Sequence, residues 1–152
     1  MHLFDEKDGR YYDRGIESGA LVKVAAVSSF LPLFAGVCSR ERAERLLADL
    51  HDPTTFKTAM GVPSVAISDP TFGSDMWRGP VWINYNYMLI RGLADYGFVA
   101  DARALRETTL RAIERWYEQD GTVYEFYDCT DRQSPAALPR KGKPLQPADD
   151  TV

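Results

Sequence analysis

The sequence has few of the residues that build disulfide frameworks or metal centres. Its two cysteines, Cys38 and Cys129, lie far apart and outside any CxxC pair. We therefore expect two reduced structural thiols, and neither a disulfide nor a cysteine-based metal site. The two histidines, His2 and His51, are isolated, which favours surface side chains over metal ligands. No metal site and no cofactor are predicted.

Long apolar runs and long runs of basic residues are also missing. No stretch reaches eighteen consecutive apolar residues, which argues against a transmembrane helix. The N-terminal residues are acidic and lack an apolar run, so no signal peptide is expected and the predicted location is cytoplasmic. The net charge is −4 with no long basic run, which argues against nucleic acid as the main partner.

Several catalytic motifs are absent as well. The sequence holds no dinucleotide fingerprint, P-loop, HExxH or GxSxG, which weakens the case for dinucleotide, phosphate, zinc-protease and serine-hydrolase chemistry. What remains is an ordinary globular composition, 45% hydrophobic and 26% charged over 152 residues. That length fits one domain.

Apolar spacing predicts four helices. Residues 16–31 are small and apolar at spacings of three and four, which favours a largely buried helix that Pro32 ends or kinks and Gly36 caps. A second, amphipathic helix begins after an N-cap at Ser39 and closes at Pro53. The stretch 54–75 has no helical period and is predicted to be an ordered loop.

The third predicted helix starts at Gly79-Pro80, with proline at its first position, and runs to about Tyr96. It is apolar nearly all round, which indicates burial between other elements. The fourth, from about Val99 to Gln119, has one apolar stripe. A buried helix followed by an amphipathic one, twice over, predicts an all-α fold of helical hairpins in a double-layered barrel or solenoid. Residues 1–135 form this predicted domain, and 136–152 an irregular tail whose last ten residues are expected to be disordered.

The richest local pattern is residues 76–87, an aromatic tract that also carries an arginine and two asparagines. Trp77 and Trp82 could be stacking walls for sugar rings or core residues, and Trp82 fits the core better. Arg78 could bond loop carbonyls, or it could donate its planar fork to sugar hydroxyls or a carboxylate. Asn84, like Asn86, is either hydrogen-bonded to nearby backbone or reaches a cavity.

Glu125 is the strongest candidate for an acid or base. Glycoside cleavage usually needs two carboxyl groups, and a glutamate among Tyr124, Phe126 and Tyr127 has the partly apolar surroundings that suit proton transfer. The simpler alternative is a solvent-facing glutamate on a short strand. Possible second carboxylates are Asp13, Asp69 and Asp75, for each of which a turn or a cap is the easier explanation.

Four segments carry a family resemblance. In order along the chain they are Phe30-Leu31-Pro32-Leu33-Phe34-Ala35-Gly36, Gly61-Val62-Pro63-Ser64, Trp77-Arg78-Gly79-Pro80-Val81-Trp82 and Tyr124-Glu125-Phe126-Tyr127. With these, roughly residues 3–135 resemble the C-terminal part of glycoside hydrolase family 63, and the trehalases of family 37 are similar over the same segments.

The resemblance implies an (α/α)6 barrel and hydrolysis with inversion, while the use of metal varies within the family. It assigns the general base to Glu125 and places Trp77, Arg78 and Gly79 in the glycone subsite. We add Trp82, Asn84 and Tyr127 as predicted substrate contacts.

Two departures from the family pattern stand out. The general-acid Asp of a Ser-Gly-x-Asp-like motif is missing, because Ala20 stands where it would fall, and the stretch that follows the base in the family is replaced by Leu138-Pro139-Arg140-Lys141. Only about four of twelve barrel helices are expected, so the chain is predicted to be a fragment, a truncated product or one piece of a split enzyme.

Our leading hypothesis is a partial inverting α-glycosidase acting on small α-linked sugars, with a carbohydrate as its partner and a general acid supplied by a missing N-terminal segment. The rival is a non-catalytic remnant that binds sugar or self-associates through an exposed barrel edge. A weaker third hypothesis, a sugar epimerase or isomerase, would require a pair of histidines in the cavity.

Overall fold

The fold, taken from a computed structural model, is described for residues 3–139. His2 and the final residues predicted to be disordered lie outside this range. The helices are α1 (Leu31–Phe34), α2 (Arg40–His51), α3 (Ile83–Asp95) and α4 (Val99–Asp120). Six two-residue strands form three small antiparallel pairs: β1 (Phe4–Asp5) with β2 (Arg10–Tyr11), β3 (Asp13–Arg14) with β4 (Leu21–Val22), and β5 (Val81–Trp82) with β6 (Phe126–Tyr127).

The helix predicted over residues 16–31 is wrong for most of its length. The chain instead makes the β3–β4 hairpin, then a 3₁₀ turn at Val27–Phe30, and only then α1. Gly19, with φ +64°, reverses the chain between the two strands, and Ile16 at the tip is fully exposed. The apolar residues of this segment are not buried on one side of a helix. Instead, alternate residues pack against the loop around Val65, with which Ala26 forms an isolated β-bridge, so the helical spacing gave a wrong prediction.

Pro32 lies inside the first turn of α1 and does not end a helix, which corrects that prediction. Its missing N–H is no loss there, because the first helical N–H groups have no partner within the helix. Gly36 does follow the helix end, with φ +68°. The Gly36 N–H donates to the Leu33 carbonyl (3.2 Å) and the Val37 N–H to the Pro32 carbonyl (3.1 Å), which is a Schellman closure.

The second predicted helix is confirmed. The Ser39 hydroxyl accepts a hydrogen bond from the Arg42 N–H at 3.3 Å, and Glu41 lies in the first turn. Ala43, Leu46 and Leu50 are buried in the main core, where they pack with α1, α3 and the start of α4. The ordered loop expected over residues 54–75 is also present, since no helix or strand forms there.

The third helix begins later than predicted, at Ile83, because Val81 and Trp82 pair with β6. Pro80 is therefore not its first residue. The helix is also not apolar all round: Asn86, Leu89 and Leu93 are buried, whereas Tyr87 is exposed. It ends at Asp95, with Tyr96 as C-cap before Gly97 (φ +80°), which is within one residue of the prediction.

The fourth helix agrees with its predicted bounds to within one residue. It packs along α3 as a helical hairpin, and α1 crosses α3. At that crossing Gly92 lets the backbones meet, because a Cβ there would lie 2.7 Å from the Phe34 nitrogen. Within residues 3–139, no helix has both the length and the apolar character needed to cross a bilayer.

Candidate active site

The β5–β6 pair joins the aromatic tract to the segment that carries Glu125. Val81 pairs with Tyr127, and Trp82 with Phe126. Continuing this register by one residue places Glu125 beside Ile83, the first residue of α3. Two segments about forty residues apart in sequence therefore meet at the N-terminal end of one helix.

Trp77 and Trp82 form a stacked pair at the same place. Their ring centroids are 3.6 Å apart with planes 6° from parallel, and Trp77 also contacts Tyr85 edge-on. Trp82 is only 4% exposed, and its indole N–H donates to the Met76 carbonyl at 2.8 Å. Trp77 is 46% exposed. The structure thus gives the two tryptophans different positions, with Trp82 as support and Trp77 as the accessible ring.

Arg78 lies at the surface in a two-point ion pair. Its Nε donates to Asp75 Oδ1 at 2.9 Å and its Nη2 to Asp75 Oδ2 at 2.8 Å. The hydrogen-bonded Arg78 guanidinium lowers the pKa of the Asp75 carboxyl group. The side chain of Arg78 is 62% exposed and that of Asp75 17%. The pair lines an open depression together with Phe72, Gly73 and Pro139 among others.

Gly79 fixes the approach of the loop to β5. Its φ is +154°, and a Cβ there would lie 1.9 Å from the Gly73 carbonyl oxygen. Its N–H donates to the buried hydroxyl of Ser64 at 2.8 Å, which anchors the segment to the preceding loop. Gly79 therefore shapes the site through its backbone.

Glu125 is exposed to solvent, immediately before β6. The partly apolar surroundings expected for its carboxyl group are not present in this structure, because Phe126 and Tyr127 are turned into the core. Tyr127 is fully buried, and its hydroxyl accepts the Tyr124 N–H at 3.0 Å. Through this hydrogen bond Tyr127 fixes the backbone next to Glu125 from the core side. The Tyr127 side chain could contact a substrate only if it became accessible to solvent.

The two asparagines of α3 differ in environment. Asn84 is exposed, and its Oδ1 accepts the N–H of Tyr85 at 3.0 Å. Asn86 is fully buried: its Oδ1 accepts the Val62 N–H at 3.2 Å, and its Nδ2 donates to the Thr109 hydroxyl at 3.0 Å. Asn84 remains available to a ligand, whereas Asn86 connects α3 to α4 and to the loop.

The candidate second carboxylates have local roles or lie apart. Asp69 accepts the Thr71 N–H and hydroxyl with one oxygen and the Ala25 N–H with the other. Asp75 is paired with Arg78, and Asp13 is exposed in β3. In the described part of the chain, no group of three or more histidine, cysteine, aspartate or glutamate side chains is placed to hold a metal ion.

The sequence did not reveal the residues that hold the backbone near Glu125 in place. Asp120 Oδ2 accepts hydrogen bonds from the Tyr124 hydroxyl (3.1 Å) and the Ser134 hydroxyl (2.9 Å). Leu138, predicted to belong to an irregular tail, is buried with Trp82 and Phe126. The one available signal was Ser134-Pro135, typical of a cap, since the Ser134 hydroxyl accepts the N–H of Ala136 at the 3₁₀ turn Pro135–Ala137.

A more enclosed cavity of about 150 Å³ lies elsewhere, between α2 and α4. Leu47, Leu50 and Leu105 line it, and its polar residues include His51 and Asp101, whose Nε2 and Oδ1 atoms are hydrogen-bonded at 2.8 Å. His51 is thus a surface side chain, as predicted. The aromatic tract lies outside this cavity, so the candidate site is an open surface and not a closed chamber.

Both cysteines are free, as predicted, and burial raises the pKa of the Cys129 thiol to about 11.

A family model and a curated relative place this chain in one family. Residues 1–137 match the model of the mannosylglycerate hydrolase MGH1-like glycoside hydrolase domain. A mannosylglycerate hydrolase of Rubrobacter radiotolerans is 38% identical over 132 residues, which are 84% of this chain and 29% of that relative.

Solved structures give the same answer for the fold. The crystal structure of a GH63 mannosylglycerate hydrolase from Thermus thermophilus in complex with glucose matches with a TM-score of 0.72 at 35% identity, covering 84% of this chain and 31% of that one. The neutral trehalase of Saccharomyces cerevisiae matches with a TM-score of 0.71 at 22% identity, over 84% of this chain and 24% of the trehalase. The chain thus forms part of an (α/α)6 barrel, and it spans less than a third of these relatives.

Proposed function

The chain belongs to the family of mannosylglycerate hydrolase MGH1-like glycoside hydrolase domains, and from this premise we propose that it carries the general base and part of the glycone subsite of an inverting glycosidase. The proposed substrates are small α-linked sugars of the glycosylglycerate type. Relatives bearing that activity in their names are 38% and 40% identical to it.

One observation carries the proposal. The pairing of Trp82 with Phe126 brings the backbone of Glu125, an exposed residue, to the start of α3, where the half-exposed Trp77 stacks on Trp82. An aromatic face stacks on the apolar side of a sugar, and a carboxylate beside it can take a proton from water. Asn84 and Arg78 would add hydrogen bonds to sugar hydroxyls.

In this mechanism Glu125 activates a water that attacks the anomeric carbon from the face opposite the leaving group. A second carboxyl group must protonate the leaving oxygen, and we assign it to a residue outside residues 3–139. Asp69 and Asp75 are already bound by local partners, and Asp13 belongs to the β3–β4 hairpin, a sheet separate from β5–β6. In a complete barrel the exposed Glu125 would become enclosed, which would suit it to proton transfer.

The test is a chimera in which this chain replaces the matching segment of the Rubrobacter radiotolerans relative. We expect it to hydrolyse mannosylglycerate, and Glu125→Gln to lower kcat by roughly 100- to 10,000-fold, the usual contribution of a general base. Glu118→Gln, an exposed glutamate on α4, is the matched control and should leave kcat unchanged. Full turnover by a folded Glu125→Gln chimera would rule out the assignment.

A further inference from the structure

Asp75 occupies one edge of the Arg78 guanidinium. Two of the five N–H groups of this side chain, at Nε and Nη2, donate to the two carboxylate oxygens. The Asp75 carboxylate is mostly buried and the Arg78 side chain mostly exposed, so the pair presents its cationic member to solvent. Among residues 3–139, the structure gives the guanidinium no hydrogen bond beyond those to Asp75. Its Nη1 edge therefore remains available to a ligand.

The loop that bears this pair is closed on itself. The Arg78 N–H donates to the Asp75 carbonyl at 2.8 Å, and the Gly73 N–H donates to the Arg78 carbonyl. Between them, the carbonyl of Met76 accepts the Trp82 indole N–H at 2.8 Å. These bonds hold the Asp75–Arg78 pair at a fixed position beside Trp77, and that position does not depend on a ligand.

We propose that Asp75 determines the specificity of this subsite, by positioning Arg78 and balancing its charge so that the subsite takes hydroxyl groups of a neutral sugar and not a carboxylate. The inference rests on the proposed function and deepens it. An unpaired arginine fork is the preferred binder of a carboxylate. Once Asp75 fills one edge, the remaining edge offers directed N–H donors with little net charge.

This assignment divides the proposed substrate between two regions. A glycosylglycerate has a neutral sugar on one side of the scissile bond and a carboxylate on the other. The Asp75–Arg78 pair would hold the neutral side, next to the Trp77 ring on which the sugar stacks. The carboxylate would then be held by cationic or N–H donors elsewhere in the complete barrel.

The experiment measures tryptophan emission of the chain during titration with glucose and, separately, with D-glycerate, since Trp77 adjoins the pair and is accessible. We expect the unaltered chain to respond to glucose and not to glycerate. Asp75→Asn should weaken glucose binding by about tenfold, as for loss of a charge-assisted bond, and should create a glycerate response that added salt suppresses. Asp95→Asn, an exposed carboxylate at the end of α3, makes the same charge change as the control.

The outcomes separate the two proposals. If the unaltered chain and Asp75→Asn bind glucose equally and neither binds glycerate, the specificity role is overturned while sugar binding stands. If the unaltered chain does not respond to glucose, the same titration is made with the chimera, which completes the barrel; no binding of glucose there overturns the glycone subsite itself. Should Asp75→Asn fail to fold by circular dichroism, Arg78→Lys decides the matter. Lysine keeps the charge but not the two-point fork, so it should lose glucose binding and gain no glycerate binding; unchanged glucose binding would contradict the proposal.

Discussion

At the scale of single residues, Gly79 is the position where the site depends most on one side chain being absent. Its φ of +154° and the 1.9 Å separation between a built Cβ and the Gly73 carbonyl oxygen leave no space for a larger residue. We expect Gly79→Ala to lower the free energy of unfolding by about 3 kcal/mol or more, since strain and a backbone clash add together. Urea denaturation followed by tryptophan emission measures this.

The control for that substitution is Gly36→Ala. Gly36 also has positive φ, +68°, but nothing lies within 4 Å of a built Cβ, so only the left-handed backbone penalty of about 1 kcal/mol applies. A loss at Gly79 no larger than that at Gly36 would show that the loop relaxes around the added methyl group.

The two tryptophans of the tract show how a residue type can mislead. Both were candidate stacking walls in the sequence, yet Trp82 is 4% exposed and Trp77 46%. The difference arises because Trp82 is inside a strand pair, whereas Trp77 precedes the turn. Sequence favoured the core for Trp82, and its burial agrees with that placement. The substrate contact also predicted for Trp82 stays a prediction.

At the scale of elements, one face of α3 packs in the core and the other contributes to the candidate site. Asn86 on its inner face joins Val62 and Thr109 through its amide group. We expect Asn86→Ala to cost about 2–3 kcal/mol of unfolding free energy, because it leaves the buried Val62 N–H without an acceptor and removes the donor to the Thr109 hydroxyl oxygen. Chemical denaturation at neutral pH measures the loss.

Asn84 is the matched control two residues earlier in the same helix. It is exposed, so Asn84→Ala should change stability by no more than about 0.5 kcal/mol. A comparable loss at both positions would mean that the helix, and not the Asn86 amide network, is responsible. A weaker glucose response in Asn84→Ala would support its place in the glycone subsite.

At the scale of the whole molecule, acid stability follows from carboxylates that tie loops to the fold. Burial raises the pKa of Asp128, but hydrogen bonds from Thr130, Arg132 and Gln133 outweigh it and the net shift is downward. The pKa of Asp69 is lowered in the same way by Thr71 and Ala25. A folded-state pKa below the unfolded value near 3.9 contributes stability above that value, and the contribution is lost as pH falls through the folded pKa.

We therefore expect the free energy of unfolding to fall as pH decreases from about 5 towards 2, and Asp128→Asn to make that fall shallower. Denaturation series at several pH values measure the slope. Asp13→Asn, an exposed carboxylate in β3, is the control. A pH slope in Asp128→Asn equal to that of the unaltered chain would exclude the loop carboxylate as its source.

The exposed outer face of α4 is the molecular-scale feature behind the rival hypothesis. Leu110 and Tyr117, seven residues apart and so on one side of the helix, are both more than half exposed. They could be covered by neighbouring barrel hairpins or by a second copy. Self-association through this edge stays a prediction.

Pattern alone predicted the elements whose signal is local. α2 and α4 have one apolar stripe each, and an N-cap or a following glycine marks their ends, so both were found within one or two residues. The prediction for residues 16–31 was wrong because the apolar residues of this segment are buried by a loop that is distant in sequence. The predicted start of α3 was wrong because Val81 and Trp82 pair with a strand that lies more than forty residues later in the chain.

The sequence by itself determined the family, the helical hairpin of α3 and α4, and the identity of the residues proposed for chemistry, because these depend on residue type and short spacing. Tertiary structure decided which of those residues are accessible. It buried Tyr127 and Asn86, exposed Trp77 and Glu125, and paired Arg78 with Asp75. Exposure and pairing depend on where separate segments meet, and only the folded chain fixes that.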